Sequence, residues 1–354
     1  MGVSVSYGPL RGSPRRELGR TRDLCAERED LAVPEDHFVS QFYLRNFAIP
    51  SQPSHVYSYQ RNCKPIPKAI RSVARVRDFE YLSREGEGLK HDTISQRLNQ
   101  IEDDTAPIIA RLVTDEGFSI SPEEWELVSL FIAHLIARGP SGRQEQINLF
   151  QATNITQAKV MAENKEAFHR SMQGTYSEAE IEDIRLKTLE FEKHYRINFE
   201  GSFFKDYSLV MSLLAGEIGS RCLLQKFPVL IKNSSQKEFI TSDNPVVFNA
   251  DPERYRRGSG LGLENSLIYL PLSPKRALLL VNRKPLKDVV SVDRDSVEPY
   301  NSEVMLYARD SLFSQSCSSQ LAQAFDKTEP RLRETVVVEN CNKTFRVSGN
   351  ELFE

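Results

Sequence analysis

The spacing of apolar residues divides the chain into a helical middle and a strand-rich end. Between Thr93 and Val113, apolar side chains recur every three or four residues, which is the period of an amphipathic helix. The run Ser121-Pro122-Glu123-Glu124 has a serine cap, a proline in the first turn and a glutamate three residues after the cap. It predicts a second helix that continues to Arg138 and ends at Gly139-Pro140. Helical spacing also occurs at 142–171, 177–197 and 205–225.

After Lys226 the pattern changes to short β-rich runs separated by turn residues. Upstream, the residues at 55–59 alternate in character as those of a strand do, and DFEYL at 78–82 is another candidate strand. This strand–helix–strand order, without regular alternation, predicts an α+β fold with a helical layer packed on a mostly antiparallel sheet. We expect one domain over 34–354, with its helical part at about 93–226 and its strand-rich part at about 227–348. The runs are FPVLIK, EFIT, PVVF, SLIYLPL, RALLLV, ETVVVE and TFRVS.

Two segments are predicted to lie outside this regular structure. Residues 1–33 lack hydrophobic periodicity and carry several arginines among glycines, serines and prolines, so they are interpreted as a disordered tail. GSGLGLE at 258–264 resembles a glycine-rich phosphate loop, but no strand–turn–helix pattern surrounds it. We therefore expect a flexible connection there.

Composition narrows the class of protein. No run approaches the roughly 18 apolar residues of a membrane span, and the N-terminus lacks an apolar signal core, so a cytoplasmic location is expected. A net charge of −3 provides no global basic field for nucleic acid, although a local basic groove is compatible with it. The five cysteines are scattered without a CxxC pair, which favours reduced thiols over disulfides or a zinc site.

The first candidate for chemistry is His37, which opens the aromatic run HFVSQFYLRNF. The neighbouring rings predict partial burial, where an imidazole needs hydrogen bonds or must stay neutral. His37 is therefore a general base or metal ligand, or else its ring ties this segment to a backbone carbonyl. Gln41 shares its face if the run is helical, and its amide would then orient the ring or a ligand.

Two helices supply a carboxylate and a guanidinium. Glu102 lies beside the apolar stripe of its helix, whereas Asp103 and Asp104 point elsewhere. Arg138 ends a helical face that also contains His134, which we interpret as a partly buried spectator. Glu102 either forms an ion pair or has a functional role. Arg138 either caps carbonyls or clamps a carboxylate or phosphate.

The sharpest local signal is FITSDNPVVF at 239–248, a turn between two β-rich runs. Asp243 within it is equally compatible with a structural turn and with a functional carboxylate. Ser242 and Asn244, on either side, are candidate ligand-binding residues. LPLSPKRALLL at 270–280 repeats the strand–turn–strand pattern.

These motifs, taken together, resemble the domain of unknown function 4238 family over roughly residues 36–310. The chain departs from the usual family pattern at Ser40, where proline is usual, and at Gly139, where threonine or a similar residue is usual. His37, Glu102 and Arg138 match the family's motifs, as does Asp243. The resemblance implies no established activity. The motifs are HFVSQFYLRNF, DFEYL, the helix containing Ile101-Glu102, Arg138 followed by Gly139-Pro140, FITSDNPVVF and LPLSP.

A pocket hypothesis follows from the candidates. We expect His37, Glu102, Arg138 and Asp243 to converge within about 10 Å around one concavity. One hypothesis is a hydrolase acting on phosphodiesters such as RNA or DNA. His37 would be its base, Arg138 its phosphate clamp, and the two carboxylates would orient groups or hold a divalent ion such as magnesium. The alternative is a non-catalytic binding or sensor module that holds a small anion or a partner's carboxylate. The sequence leaves the cofactor and the partner unknown.

Overall fold

The computed structural model describes most of the chain between residues 35 and 347. The described residues are 35–77, 79–83, 90, 92–115, 117–195, 202–249, 266–330, 336–340 and 343–347. The predicted tail at 1–33 and the glycine-rich run at 258–264 lie outside them.

The opening aromatic run is a strand end followed by one short helix. Ser40 has an extended backbone and precedes the helix, so His37 and Gln41 belong to different elements and the single helix considered for this run is wrong. The rings of Tyr43 and Phe47 are fully buried and anchor the segment. The elements here are β1 (Glu35–His37), α1 (Gln41–Arg45), β2 (His55–Gln60), β3 (Ile66–Ala69), a 3-10 turn (Ile70–Ser72) and β4 (Arg75–Arg77).

The helical middle follows the predicted periods, except that the segments 142–171 and 177–197 each contain two helices instead of one. Ser121 and Glu124 form the reciprocal capping box that their spacing predicts. Gly139 has an extended backbone and separates two successive helices, so the chain changes direction there. The helices are α2 (Thr93–Thr114), α3 (Pro122–Arg138), α4 (Pro140–Glu163), α5 (Lys165–Met172), α6 (Glu178–Leu189), α7 (Phe191–His194) and α8 (Ser202–Leu223).

Helix α3 is the buried centre of this layer and packs against α8. His134 on α3 is only 2% exposed, and a Cβ at Gly216 of α8 would overlap its imidazole ring. The glycine therefore permits the close approach of the two helices. Burial lowers the pKa of His134 to about 3, with Arg138 and Arg97 acting in the same direction, so the ring stays neutral.

The strand-rich end contains two helices that periodicity did not predict, α9 and α10. In α9 the helical pattern is weakened by Pro299, which lies inside the helix. In α10 it is weakened because the helix has only nine residues. The elements are β5 (Phe227–Asn233), β6 (Thr241–Ser242), β7 (Val247–Asn249), β8 (Leu267–Ser273), β9 (Arg276–Val281), β10 (Val289–Val292), α9 (Arg294–Tyr307), β11 (Ser311–Ser314), α10 (Ser319–Lys327), β12 (Val336–Asn340) and β13 (Lys343–Val347).

The strands form several sheets where one was expected. A five-stranded sheet has the order β10-β5-β9-β8-β7 and is antiparallel except for its β10–β5 pair. A four-stranded antiparallel sheet has the order β3-β2-β11-β6, and β1–β4 and β12–β13 form two-stranded sheets. The α+β class is confirmed. The candidate strand DFEYL is wrong, because residues 79–83 are irregular and β4 precedes them.

One hydrophobic cluster joins these parts. It includes Phe38 beside β1, Ile132 of α3 and Leu278 of the five-stranded sheet, together with Phe313 of β11. Burial of such side chains stabilises the fold by roughly 1.5–3 kcal/mol each before entropic costs. The N-terminal segment and the strand end are therefore held against the helical layer.

Candidate functional site

The irregular segment 79–83 is held against β1 by one carboxylate. Asp36 is 8% exposed, and its Oδ2 accepts hydrogen bonds from the backbone N–H groups of Phe79 and Glu80, both at 2.9 Å. Charge-assisted bonds to backbone donors are strong. Asp36 thereby places the side chain of Glu80 beside the end of α3.

Arg138 is the centre of a buried ionic network. Its Nη2 lies 2.6 Å from Glu102 Oε1, and its Nη1 lies 3.9 Å from Glu80 Oε1. Its Nε donates to the Phe38 carbonyl at 3.1 Å and its Nη2 to Ser40 Oγ at 2.7 Å. Burial alone would lower the pKa of Arg138, but the carboxylates of Glu102 and Glu80 raise it. The guanidinium is thus occupied by protein groups.

Glu80 is the member of this network that the sequence interpretation missed. Its side chain is 6% exposed, and its Oε1 is buried without a hydrogen-bond donor among the described residues. Burial raises the pKa of Glu80 to about 7, although Arg138 opposes the shift. The sequence offers one signal for it, a glutamate between Phe79 and Tyr81 in the candidate strand DFEYL.

His37 is half-buried at the end of β1 and is bonded on both nitrogens. Its Nε2 lies 3.1 Å from the Arg71 carbonyl, and Gln41 Nε2 lies 3.4 Å from its Nδ1. This pattern fits a neutral ring with its proton on Nε2. Burial lowers the pKa of His37 and Arg138 adds to that effect, while the Arg71 carbonyl and Glu102 oppose it. The bond to Arg71 is the structural alternative considered for His37, and the Gln41 amide contacts the ring although the two residues do not share a helix.

Asp243 contacts a different part of the molecule. Its buried carboxylate accepts hydrogen bonds from three successive backbone N–H groups, those of Arg309, Asp310 and Ser311, at 2.7–2.9 Å. Burial raises the pKa of Asp243 to about 6, although these three donors oppose the shift. His37, Glu102 and Arg138 come together, whereas the contacts of Asp243 are with the start of β11.

The two predicted ligand-binding residues beside Asp243 also bond to protein groups, Ser242 within the turn and Asn244 at the end of α9. Ser242 Oγ accepts from the Asn244 N–H at 3.1 Å, and Asn244 Nδ2 donates to the Tyr307 carbonyl at 3.1 Å. Ser242 is fully buried. These bonds shape the turn that presents Asp243.

A cavity of about 710 Å³ lies between the Asp243 turn and the Arg138 network. Phe38 joins the two regions, because its carbonyl accepts from Arg138 and the residue also lines the cavity. The volume is within the range of small-molecule sites. The charged lining residues are Arg75, Arg77, Arg143, Lys205, Arg309, Asp243 and Asp310, and the aromatic ones are Phe38, Phe79, Phe204 and Phe313.

Arg143 is the buried cation of this cavity, and it was not predicted. It is 6% exposed, and it donates to the carbonyls of Phe79 and Lys205 and to Ser208 Oγ. Its guanidinium also lies 4.1 Å from the centre of the Phe79 ring. Burial lowers the pKa of Arg143 to about 10, although Glu80 and Asp206 act in the opposite direction. Its hydrogen-bond acceptors are neutral oxygens.

Two further observations concern the described residues alone. Within them, no group of three or more histidine, cysteine, aspartate or glutamate side chains is arranged to hold a metal ion. None of the described helices combines the length and apolar character needed to cross a membrane.

Comparison with known proteins identifies the family. The model described as Protein of unknown function (DUF4238) matches residues 35–318, which is most of the chain, so the chain belongs to this family. The resemblance inferred from the six motifs is confirmed. No curated protein and no solved structure matches the chain.

Proposed function

We propose that the protein is a binding module that holds an anionic group in the cavity beside Arg143. The observation that carries this proposal is a buried guanidinium whose hydrogen-bond acceptors are neutral and which lines a cavity. Glu80, Asp206 and Asp36 offset part of the cost of burying this charge, but burial still lowers the pKa of Arg143 to about 10. An anionic ligand group in the cavity would offset that cost by charge-assisted hydrogen bonds.

The proposal places the ligand at Arg143 instead of at Arg138, the clamp expected from the sequence. Arg138 already bonds to Glu102, Ser40 and the Phe38 carbonyl. A ligand phosphate would have to displace these partners and would meet the carboxylates of Glu102 and Glu80. The cavity beside Arg143 instead has more cationic than acidic side chains.

The test is ligand-induced thermal stabilisation. Inorganic phosphate, sulfate, citrate and nucleoside monophosphates are titrated against the wild type, Arg143→Gln and the surface control Arg97→Gln. A bound ligand raises the unfolding midpoint. We expect a rise in the wild type and in the control but none in Arg143→Gln. Equal stabilisation of Arg143→Gln, or no stabilisation of the wild type by any member of the panel, would contradict the proposal.

A second variant protects this test against misfolding of Arg143→Gln. Gln144 lines the same cavity, and Gln144→Glu adds a negative charge with almost no change in shape. We expect it to weaken anion binding at least tenfold by repulsion. Unchanged binding by a folded Gln144→Glu variant would place the anion elsewhere.

Hydrolysis of a phosphodiester is the second candidate, favoured by Asp243. Asp243 lines the same cavity, and a carboxyl with a pKa of about 6 is suited to proton transfer near neutral pH. His37 as base and Arg138 as clamp would both have to leave protein partners. Single-stranded RNA and DNA, with magnesium or manganese, are incubated with the wild type, Asp243→Asn and His37→Ala. Cleavage products formed by the wild type but by neither variant would support hydrolysis. If the wild type forms no products, phosphodiester hydrolysis is excluded.

A further inference from the structure

The cavity beside Arg143 is elongated along helix α4. Pro140, Arg143, Gln144 and Ile147 all line it, and their spacing of three or four positions places them on one face of the helix. Pro140 and Ile147 are seven positions apart, so this face extends for about 10 Å along the helix axis. Arg143 therefore lies near the middle of a long wall, with Ile147 one turn further on.

Arg143 has one N–H group left to offer to a ligand. A guanidinium has five N–H groups in a fixed planar arrangement. In Arg143, Nε and Nη2 both donate to Ser208 Oγ. Nη1 donates to the Phe79 carbonyl, and Nη2 also donates to the Lys205 carbonyl. With these four bonds made, one N–H of Nη1 has no acceptor among the described residues and can bond one oxygen of an anionic group.

The other walls of the cavity supply apolar surface. Phe38 and Phe79 line it with their ring centres 6.0 Å apart, and Ile147 and Phe313 line it as well. A single hydrogen bond contributes little net free energy, so burial of apolar surface must provide most of the binding. An inorganic anion would use little of this surface, because a water-sized molecule takes only about 30 Å³. A ligand that fills the site therefore joins an anionic head to an apolar body.

The acidic groups near the cavity favour a head with a single negative charge. The Asp243 carboxylate is held by three backbone N–H groups, and Asp310 Oδ2 lies 3.3 Å from Arg309 Nε, so both are compensated locally. Burial lowers the pKa of Arg143 and Glu80 opposes that shift, so a carboxyl group also acts on the ligand position. A phosphate monoester carries about 1.5 to 2 negative charges and would be repelled more strongly than a carboxylate.

We propose that the cavity binds a carboxylate with an elongated acyl chain, of the fatty-acid class, with its carboxylate at Arg143 and its chain against Ile147 and Phe313. This rests on the proposed anion site and names its ligand class. The acyl chain distinguishes it from binding of a free anion, because a small ion makes no use of the apolar walls.

The first test varies the length of the acyl chain. Acetate, hexanoate, octanoate and decanoate are titrated calorimetrically into the full chain at pH 7.5, at concentrations below those at which they form micelles. Burial of each methylene group should tighten binding about fourfold. We expect octanoate to bind at least tenfold more tightly than hexanoate. An affinity that does not rise with chain length would overturn the proposal.

The head group is then varied with the tail held constant. Octylammonium should not bind, and binding equal to that of octanoate would overturn the proposal. Octyl phosphate should bind more weakly than octanoate, and tighter binding would overturn the choice of a carboxylate. Arg143→Gln should weaken octanoate binding at least tenfold, whereas the surface control Arg97→Gln should leave it unchanged. Equal affinity in both variants would contradict the position of the head. If Arg143→Gln does not fold, the octylammonium comparison decides.

The position of the tail is tested with two buried isoleucines. Ile147 lines the cavity and is 8% exposed, whereas Ile108 of α2 is 6% exposed and does not line it. We expect Ile147→Ala to weaken decanoate binding at least threefold more than it weakens acetate binding, and Ile108→Ala to change neither. The same effect of both variants would place the acyl chain elsewhere. If Ile147→Ala does not fold, the chain-length series on the wild type decides.

The outcomes separate this inference from the proposed function. If affinity does not rise with chain length while phosphate or citrate still stabilises the protein through Arg143, the acyl inference fails and the anion site stands. If neither the carboxylates nor any small anion shows a dependence on Arg143, both fail.

Discussion

Two buried arginines five residues apart, Arg138 and Arg143, differ in whether a carboxylate bonds directly to the guanidinium. Arg138 ends α3 and bonds to Glu102 at 2.6 Å, with Glu80 at 3.9 Å. Arg143 lies in the first turn region of α4 and donates to neutral oxygens of Phe79, Lys205 and Ser208. The pKa of Arg138 is raised, whereas burial lowers that of Arg143 to about 10.

The difference shows how charge balance separates a structural group from a candidate binding group. A guanidinium saturated by carboxylates has little capacity left for a ligand, and removing it leaves buried negative charge. A guanidinium whose hydrogen-bond acceptors are neutral, as at Arg143, has its charge offset only in part by the carboxylates around it and can still bond a ligand in the cavity. The extended backbone at Gly139 sends the two helices, and with them the two side chains, into different surroundings.

The largest expected effect comes from breaking the Arg138 network. Arg138→Leu leaves Glu102 and Glu80 without their cation, and we expect it to lower the free energy of unfolding by about 3–5 kcal/mol. Urea denaturation measures this. The exposed Arg97–Glu217 pair is the control, and Arg97→Leu should cost less than about 1 kcal/mol. A loss of similar size in both variants would show that the network is not specially stabilising.

The second expected effect is a change in how stability depends on pH when Glu80 is replaced. Burial raises the pKa of Glu80 from 4.5 to about 7 in the folded protein, so the contribution of this carboxyl to stability is lost as pH rises between these values. Glu80→Gln removes this dependence. Relative to the wild type, the variant should gain about 2 kcal/mol of unfolding free energy between pH 5 and pH 8. Parallel pH profiles of the two proteins would show that Glu80 is ionised normally.

A smaller loss is expected from Arg143→Leu. It removes a donor from the carbonyls of Phe79 and Lys205, although the Lys205 carbonyl still accepts from Ser208 Oγ, and it breaks no carboxylate bond like that of Arg138, so we expect a cost of about 1–3 kcal/mol. Denaturation in parallel with Arg138→Leu provides the measurement. A cost as large as that of Arg138→Leu would mean that Arg143 also belongs to a charge network, and the contrast between the two arginines would be lost.

The smallest effect concerns Asp36, which holds the segment 79–83 in place beside both arginines. Asp36→Asn keeps the acceptor oxygen for the N–H groups of Phe79 and Glu80 but removes its charge, and it should cost about 1 kcal/mol. Because Asp36 also contributes to the raised pKa of Glu80, the pH dependence of stability should become shallower. An unchanged profile would show that the two carboxylates do not interact.

The local patterns of the sequence determined the helices and which of their edges face inward. Periodicity and the capping box predicted α2 and α3 with bounds within a residue or so, because amphipathic spacing and caps act over one or two turns. Glu102 was predicted at the edge of its stripe and is partly buried, while Asp103 and Asp104 are exposed. Glu102 forms the ion pair that was one of its two predicted roles, and Arg138 holds a carboxylate, which was one of its own.

Only the tertiary structure decided which polar groups meet. Arg138 bonds to Phe38 and Ser40, about a hundred positions away, and Asp243 bonds to backbone groups more than sixty positions away. The burial of Glu80 and the neutral partners of Arg143 likewise depend on irregular backbone that has no period. Local propensities act on neighbouring residues, whereas these contacts arise from packing between distant segments. For that reason the sequence predicted the helices and Arg138, but not the cavity beside Arg143.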